Sequence, residues 1–148
     1  MNINNHRQEE LLNINKKINE YDEKKIDILR KVPFKKWNRV TFLLNELSEY
    51  YMVLINLQDE LKYSSITYKD IEEREEKKRE ILLDIRETQD SMRPYLEERN
   101  IILNEYLTFE ECNDLQNIYV NIHSLEKIKT DRDKLKKLLN NKDFYEQK

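Results

Sequence analysis

"LLNINKKINEYDEKKIDILRKV" occupies residues 11–32. Apolar side chains recur at Leu11, Ile14, Ile18, Tyr21, Ile28 and Val32, in alternating steps of three and four. That period belongs to a helix that buries one stripe against a partner, as in a coiled coil. Lys25 fills the one vacant inward position. A lysine there can fix register or oligomeric state, but its stem more commonly lies along the seam with the ammonium in water. Val32 precedes Pro33, which disfavours a helical backbone at Val32, and proline suits the first turn of a following helix. The first helix is therefore expected to end near Lys31 and the second to open near Pro33.

The second helix is expected to run to about Tyr63, with Trp37, Val40, Leu44, Leu47, Tyr51, Leu54 and Leu61 inward. Flanking apolar residues, among them Phe42, Leu43, Val53 and Ile55, widen the stripe. A helix apolar over most of its circumference is covered on several sides, so this one reads as the centre of a bundle. "KYSSITYKD" (62–70) reads as a loop, with Ser64, Ser65 and Thr67 as candidate helix caps. "KDIEEREEKKRE" (69–80) has only Ile71 as an apolar residue, and its charges alternate at i, i+4. Such a segment is a solvated helix that overshoots the core or packs only through Ile71 and charged stems. Apolar contacts resume at Ile81 and continue to Tyr106, with Pro94 inside the pattern. Proline removes one helical hydrogen bond, so a kink or break is expected near Asp90 to Arg93. "TFEE" (108–111) has the form of a capping box: Thr108 caps and Glu111 reaches back. In the last helix the apolar phase slips between Leu125 and Leu135, which resembles a stutter or marks a change of packing partner. Asn140 and Asn141 can take the left-handed position that ends a helix.

These elements give an all-α fold: a single domain over residues 1–148, an elongated antiparallel helical bundle or coiled coil of four helices, five if Pro94 breaks the third. Residues 1–8 and 142–148 are expected to fray. The composition agrees. Charged residues make up 39% and hydrophobic ones 38%, a lean core suited to helices that each bury a stripe. There is no glycine, where an average soluble chain has roughly 7%, and no alanine. Tight hairpins lean on glycine for positive φ. Phosphate-cradling loops and nucleophile elbows need its close backbone approach. Walker-type NTPases, Rossmann dehydrogenases, protein kinases and α/β-hydrolases are excluded on residue type alone. Residues with GC-rich codons are scarce and Lys, Asn, Ile and Tyr abundant, as in an AT-rich genome; a virus, phage or other mobile element would fit.

Little chemistry is on offer. His6 and His123 are the only histidines, and neither lies in a Glu-x-x-His or His-Glu-x-x-His pattern. No metal or cofactor is expected. Cys112 is the sole cysteine, so no intrachain disulfide can form and a reducing, cytoplasmic location is expected. It falls in the first turn of a helix, where the dipole can lower a thiol pKa, but also three residues before the inward Leu115. No catalytic residue is assigned and no enzyme is expected. No apolar run approaches the roughly 18 residues of a membrane span, and "MNINNHRQEELL" lacks the basic and apolar regions of a secretory signal.

What stands out is charge. The net charge is −3, yet "RKVPFKKWNR" (30–39) carries five bases and no acid. Arg30 and Lys31 suit the end of a helix; Lys35 and Lys36 sit at the positive start of one, where they are disfavoured. Something should offset them. One answer is the chain's own acidic segment 84–114, which includes Glu98, Glu105 and Glu111. The other is an external anion or acidic partner, gripped by Arg30, Lys31, Phe34, Lys35, Lys36, Trp37 and Arg39, with the two aromatics supplying contact area. The expected function is binding another protein, as an adaptor or inhibitor, with nucleic-acid association through 30–39 as the alternative and an enzyme whose site forms only in an oligomer as a remote one. The wide stripe of the second helix and the heptad of the first also predict a homo-oligomer, with a dimer favoured.

Overall fold

A computed structural model describes residues 3–146: four α-helices joined by three short connections. Helix α1 spans Ile3–Leu29, a 3-10 turn Phe34–Lys36, α2 Trp37–Thr67, α3 Ile71–Leu103 and α4 Phe109–Glu146. There is no strand among the described residues. The ends expected to fray fall partly on residues 1, 2, 147 and 148, outside the described residues; the remainder of both ends is helical.

α2 packs along α3 and also against α4, and α1 packs along α4. Both long pairs are antiparallel. Glu10, Lys25 and Lys31 meet Arg132, Tyr119 and Glu111, in reverse order along the chain. Lys36, Arg39 and Tyr50 meet Glu105, Glu98 and Tyr95 in the same sense. The helices are long: 33 residues in α3 make about 50 Å. The α1–α2 and α3–α4 connections lie at one end, and the core gathers there. Leu29, Val32, Val40, Leu44, Leu103, Leu107, Leu115 and Tyr119 form one buried cluster. A second, smaller cluster of Leu47, Leu54 and Met92 lies between α2 and α3 alone. Leu43, Leu44, Leu47, Leu103 and Leu115 are fully buried, each contributing about 2 kcal/mol over an exposed position.

α2 packs against two other helices, as α4 does, but it is not covered all round as its wide stripe suggests: Phe42, Val53 and Ile55 stay exposed. Several local expectations are corrected. In α1 Leu29 joins the buried core, with Ile28 half-buried and packed against it, and the helix tightens at its end: Lys31 and Val32 bond three residues back, to Ile28 and Leu29. Pro33 does not open α2 directly. It is extended, and the 3-10 turn follows, closed by Lys36 N–H on the Pro33 carbonyl at 2.9 Å. The 62–70 loop shrinks to Tyr68–Asp70. Ser64 and Thr67 lie inside α2 and donate to the carbonyls of Leu61 and Tyr63, so they back-bond rather than cap. Ile71 is exposed, so it does not anchor the charged start of α3. α3 continues through Pro94 as one helix. α4 continues past Asn140 and Asn141 to Glu146, and no described non-glycine residue takes positive φ.

Candidate basic–aromatic corner

The stretch 30–39 forms the α1–α2 corner, directly against the α3–α4 corner. Trp37 holds its shape: the indole N–H donates to the Val32 carbonyl at 2.8 Å, bridging Pro33, while the ring packs on the core cluster. Thr108 and Glu111 hold the facing corner. Glu111 N–H donates to Thr108 Oγ1 and Thr108 N–H to Glu111 Oε1, both at 3.1 Å, which is the capping box the sequence proposes.

The charges of the corner are largely met within the chain. Arg30 lies 3.7 Å from Asp27, and Lys31 pairs with Glu111. Lys36 donates to Tyr106 Oη at 3.0 Å, lies 3.7 Å from Glu105 and stands over the Tyr106 ring. Arg39 grips Glu98 through two N–H groups, at 2.9 and 2.6 Å, and its guanidinium lies over Phe42. Three of these acids, Glu98, Glu105 and Glu111, belong to the acidic segment 84–114. The pairing appears in the ionisation. The Lys31 ammonium and the Thr108 amide hold Glu111 below the usual carboxylate range, and Arg39 does the same to Glu98. Tyr106 and then Glu105 raise Lys36, and Glu98 raises Arg39. Lys35 has no acidic partner among the described residues.

Phe34 is the exception to the inward order. It stacks at a tilt on Trp37, 5.2 Å between ring centroids, yet remains 80% exposed. Phe109, beside the capping box, is 79% exposed. Both lie between the same two cross-corner contacts, Lys31–Glu111 and Lys36–Tyr106, so they share one end of the molecule.

Behind the corner lies a buried polar cluster. Arg99 is 7% exposed and donates to Asn100 Oδ1 and, at 3.0 Å, to Gln116 Oε1. Gln116 in turn donates to the Leu44 carbonyl and to Ser48 Oγ, tying α3, α4 and α2 together. No carboxylate pairs with Arg99 among the described residues. Nothing in the sequence pattern marks Arg99, Gln116 or Ser48 as buried together. The available signal is position: Gln116 and Ser48 directly follow the inward Leu115 and Leu47.

The remaining candidates separate. Cys112 is buried, and burial raises its thiol pKa against the opposing effect of Arg99. His123 bonds Asn45 Oδ1 at 3.0 Å, and His6 lies 3.8 Å from Glu10. Among the described residues no three His, Cys, Asp or Glu side chains converge as a metal site, and no helix is long and apolar enough to cross a membrane. A cleft of about 670 Å³ opens between α2 and α3 near their turn, with Asp59, Glu60, Tyr63 and Lys77 on its wall. Comparison with protein families, curated proteins and solved structures finds no match for this chain.

Proposed function

We propose that the chain is a non-enzymatic helical binding protein, an adaptor or inhibitor that grips another protein through the corner end. One observation carries the reading: Phe34 and Phe109 stand about four-fifths exposed on an internally bonded end. Aromatic side chains make strong interface anchors, and an anchor already fixed in place loses little entropy on binding. The fitting partner is a protein with an apolar pocket for Phe34 and an acid within reach of Lys35. Arg30, Lys31, Lys36 and Arg39 act as the polar rim, and Trp37 supports Phe34 from behind. Internal pairing of those four bases favours protein over nucleic acid, because phosphate binding draws its affinity from cations free to replace counterions.

The same reading takes the protein to act in the cytoplasm of a host with an AT-rich genome, for a virus, phage or mobile element. It takes α1 and α4 as an antiparallel coiled-coil pair, and α3 as kinked at Pro94. Affinity purification from the native host tests the function. The wild-type chain should retain one protein in high salt, and Phe34→Ala/Phe109→Ala should lose it while Leu12→Ala, at an exposed position elsewhere, keeps it. Retention of the same partner by the double variant refutes the reading. Capture of nucleic acid that weakens steeply with salt and is lost in Lys35→Glu/Lys36→Glu replaces it with the alternative.

A further inference from the structure

The two long helix pairs, α2 with α3 and α1 with α4, meet over only part of their length. Hydrogen bonds between α2 and α4 run from Thr41–Tyr119, through Leu44 and Ser48 with Gln116, to Asn45–His123. Farther from the corner, no hydrogen bond or ion pair joins the two pairs among the described residues; Lys129 and Arg132 of α4 bond only to α1. Helical spacing carries the Ser48 face of α2 on to Ile55 and Ile66, and the Gln116 face of α4 on to Lys127 and Lys134. All four are exposed. The pairs therefore part beyond Ser48 and His123, leaving two arms of about 30 Å that cross once.

The short connections at the corner fix where the pairs meet. They leave the crossing angle open, and the apolar contacts of Val40, Leu44, Leu115 and Tyr119 are non-directional. The buried polar cluster lies at this crossing and is directional. Gln116 Oε1 accepts from Arg99 of α3 at 3.0 Å. Its amide donates to the Leu44 carbonyl at 3.2 Å and to Ser48 Oγ at 3.1 Å, both on α2. Ser48 Oγ in turn donates to the same carbonyl at 2.7 Å. No buried side-chain polar atom among the described residues lacks a partner. Arg99, Gln116 and Ser48 are all buried, so a rotation of the pairs would strand the Gln116 amide where water does not reach. A fully satisfied buried network rigidifies one arrangement, while an apolar patch of the same shape permits several.

We propose that the Arg99–Gln116–Ser48 cluster is an angle lock, which fixes the crossing of the α2/α3 arm over the α1/α4 arm. The Asn45–His123 contact at the edge of the crossing is only half-buried, so water can replace either partner, and it does not set the angle.

Double electron–electron resonance between the arms tests this, with spin labels at Ser65→Cys and Thr130→Cys in a Cys112→Ala background. Both labelled positions are exposed. The parent should give one narrow distance distribution. Arg99→Met/Gln116→Leu/Ser48→Ala removes the three members together; it should keep its helical circular dichroism and at least double the width of the distribution. Gln116→Glu/Ser48→Ala keeps a partner for Arg99 but removes both donors to α2. It should broaden the distribution likewise, and it decides the matter if the triple variant does not fold. Asn45→Ala should leave the width unchanged. A folded triple or double variant with the parental distribution overturns the inference. So does Asn45→Ala broadening as much as either, or a parent that is already broad.

Discussion

The two halves of α4 both carry apolar residues at helical spacing and meet opposite fates. From Cys112 to Ile122 the apolar positions keep the phase of α1 and α2, and they vanish into the core. From Ile128 to Leu139 the same residue types keep their spacing to one another but lose phase with α1, and they stay in solvent. Hydrophobicity alone does not bury a residue. It must recur at an angle where another helix waits.

Breaking the first half should have the largest effect. Leu115→Ala, at a fully buried site in the main cluster, should lower stability by about 3 kcal/mol in chemical unfolding. Leu138→Ala, studied at dilution as a monomer, should change it by no more than about 0.5 kcal/mol. Next comes the polar cluster under the corner. Gln116→Leu leaves the Arg99 guanidinium without its bond to α4 and should cost about 2 kcal/mol. Arg99→Met removes the buried charge but leaves Gln116 Oε1 without its donor, so it should cost less, about 1 kcal/mol. If Arg99→Met is as damaging as Gln116→Leu, the cluster holds the helices together by more than satisfying its own members.

Third is the capping box. Thr108→Ala should cost about 1 kcal/mol, measured by thermal unfolding, because it leaves the Glu111 N–H without its acceptor at the head of the buried half. The smallest effect is ionic. Glu98 and Glu111 have folded-state pKa values below their unfolded ones. Their contribution is present above the unfolded carboxylate value, roughly 4.3, and is lost as pH falls through the lower folded values. Lys36 is raised, so its contribution persists through neutral pH and is lost only above the usual lysine range. Trp37, the sole tryptophan, sits in this corner and reports on it. Its fluorescence should shift as pH is lowered below about 4. High salt at pH 7 should produce only a weak version of the same shift, since exposed pairs are screened.

Much of the fold was legible because it rests on short-range rules. The helical character of the chain and the Thr108–Glu111 box are each set within a few residues, and both are found in the structure; the width of the α2 stripe is not, since Phe42, Val53 and Ile55 stay exposed. The answer to the charge of residues 30–39 was half legible: the acidic segment could be named from sequence, but which acids arrive opposite Lys31, Lys36 and Arg39 depends on how two corners meet. What escaped has a common cause. Ser64 and Thr67 look like loop residues until their hydroxyls find the preceding turn. Arg99 looks like surface until Gln116 covers it. Asn140 and Asn141 allow a helix to end without compelling it. In each case a tertiary or back-bonded partner overrides a local preference.

Amide hydrogen exchange along α4, followed by mass spectrometry at two protein concentrations, tests the contrast between its halves most directly. Residues 112–122 should exchange slowly whatever the concentration, because their cover is within the chain. Residues 127–139 should exchange fast at dilution, because the apolar side chains there have no cover within the chain. Equal protection of both halves in dilute protein would contradict this account, for it would mean that the second half is already covered by its own chain.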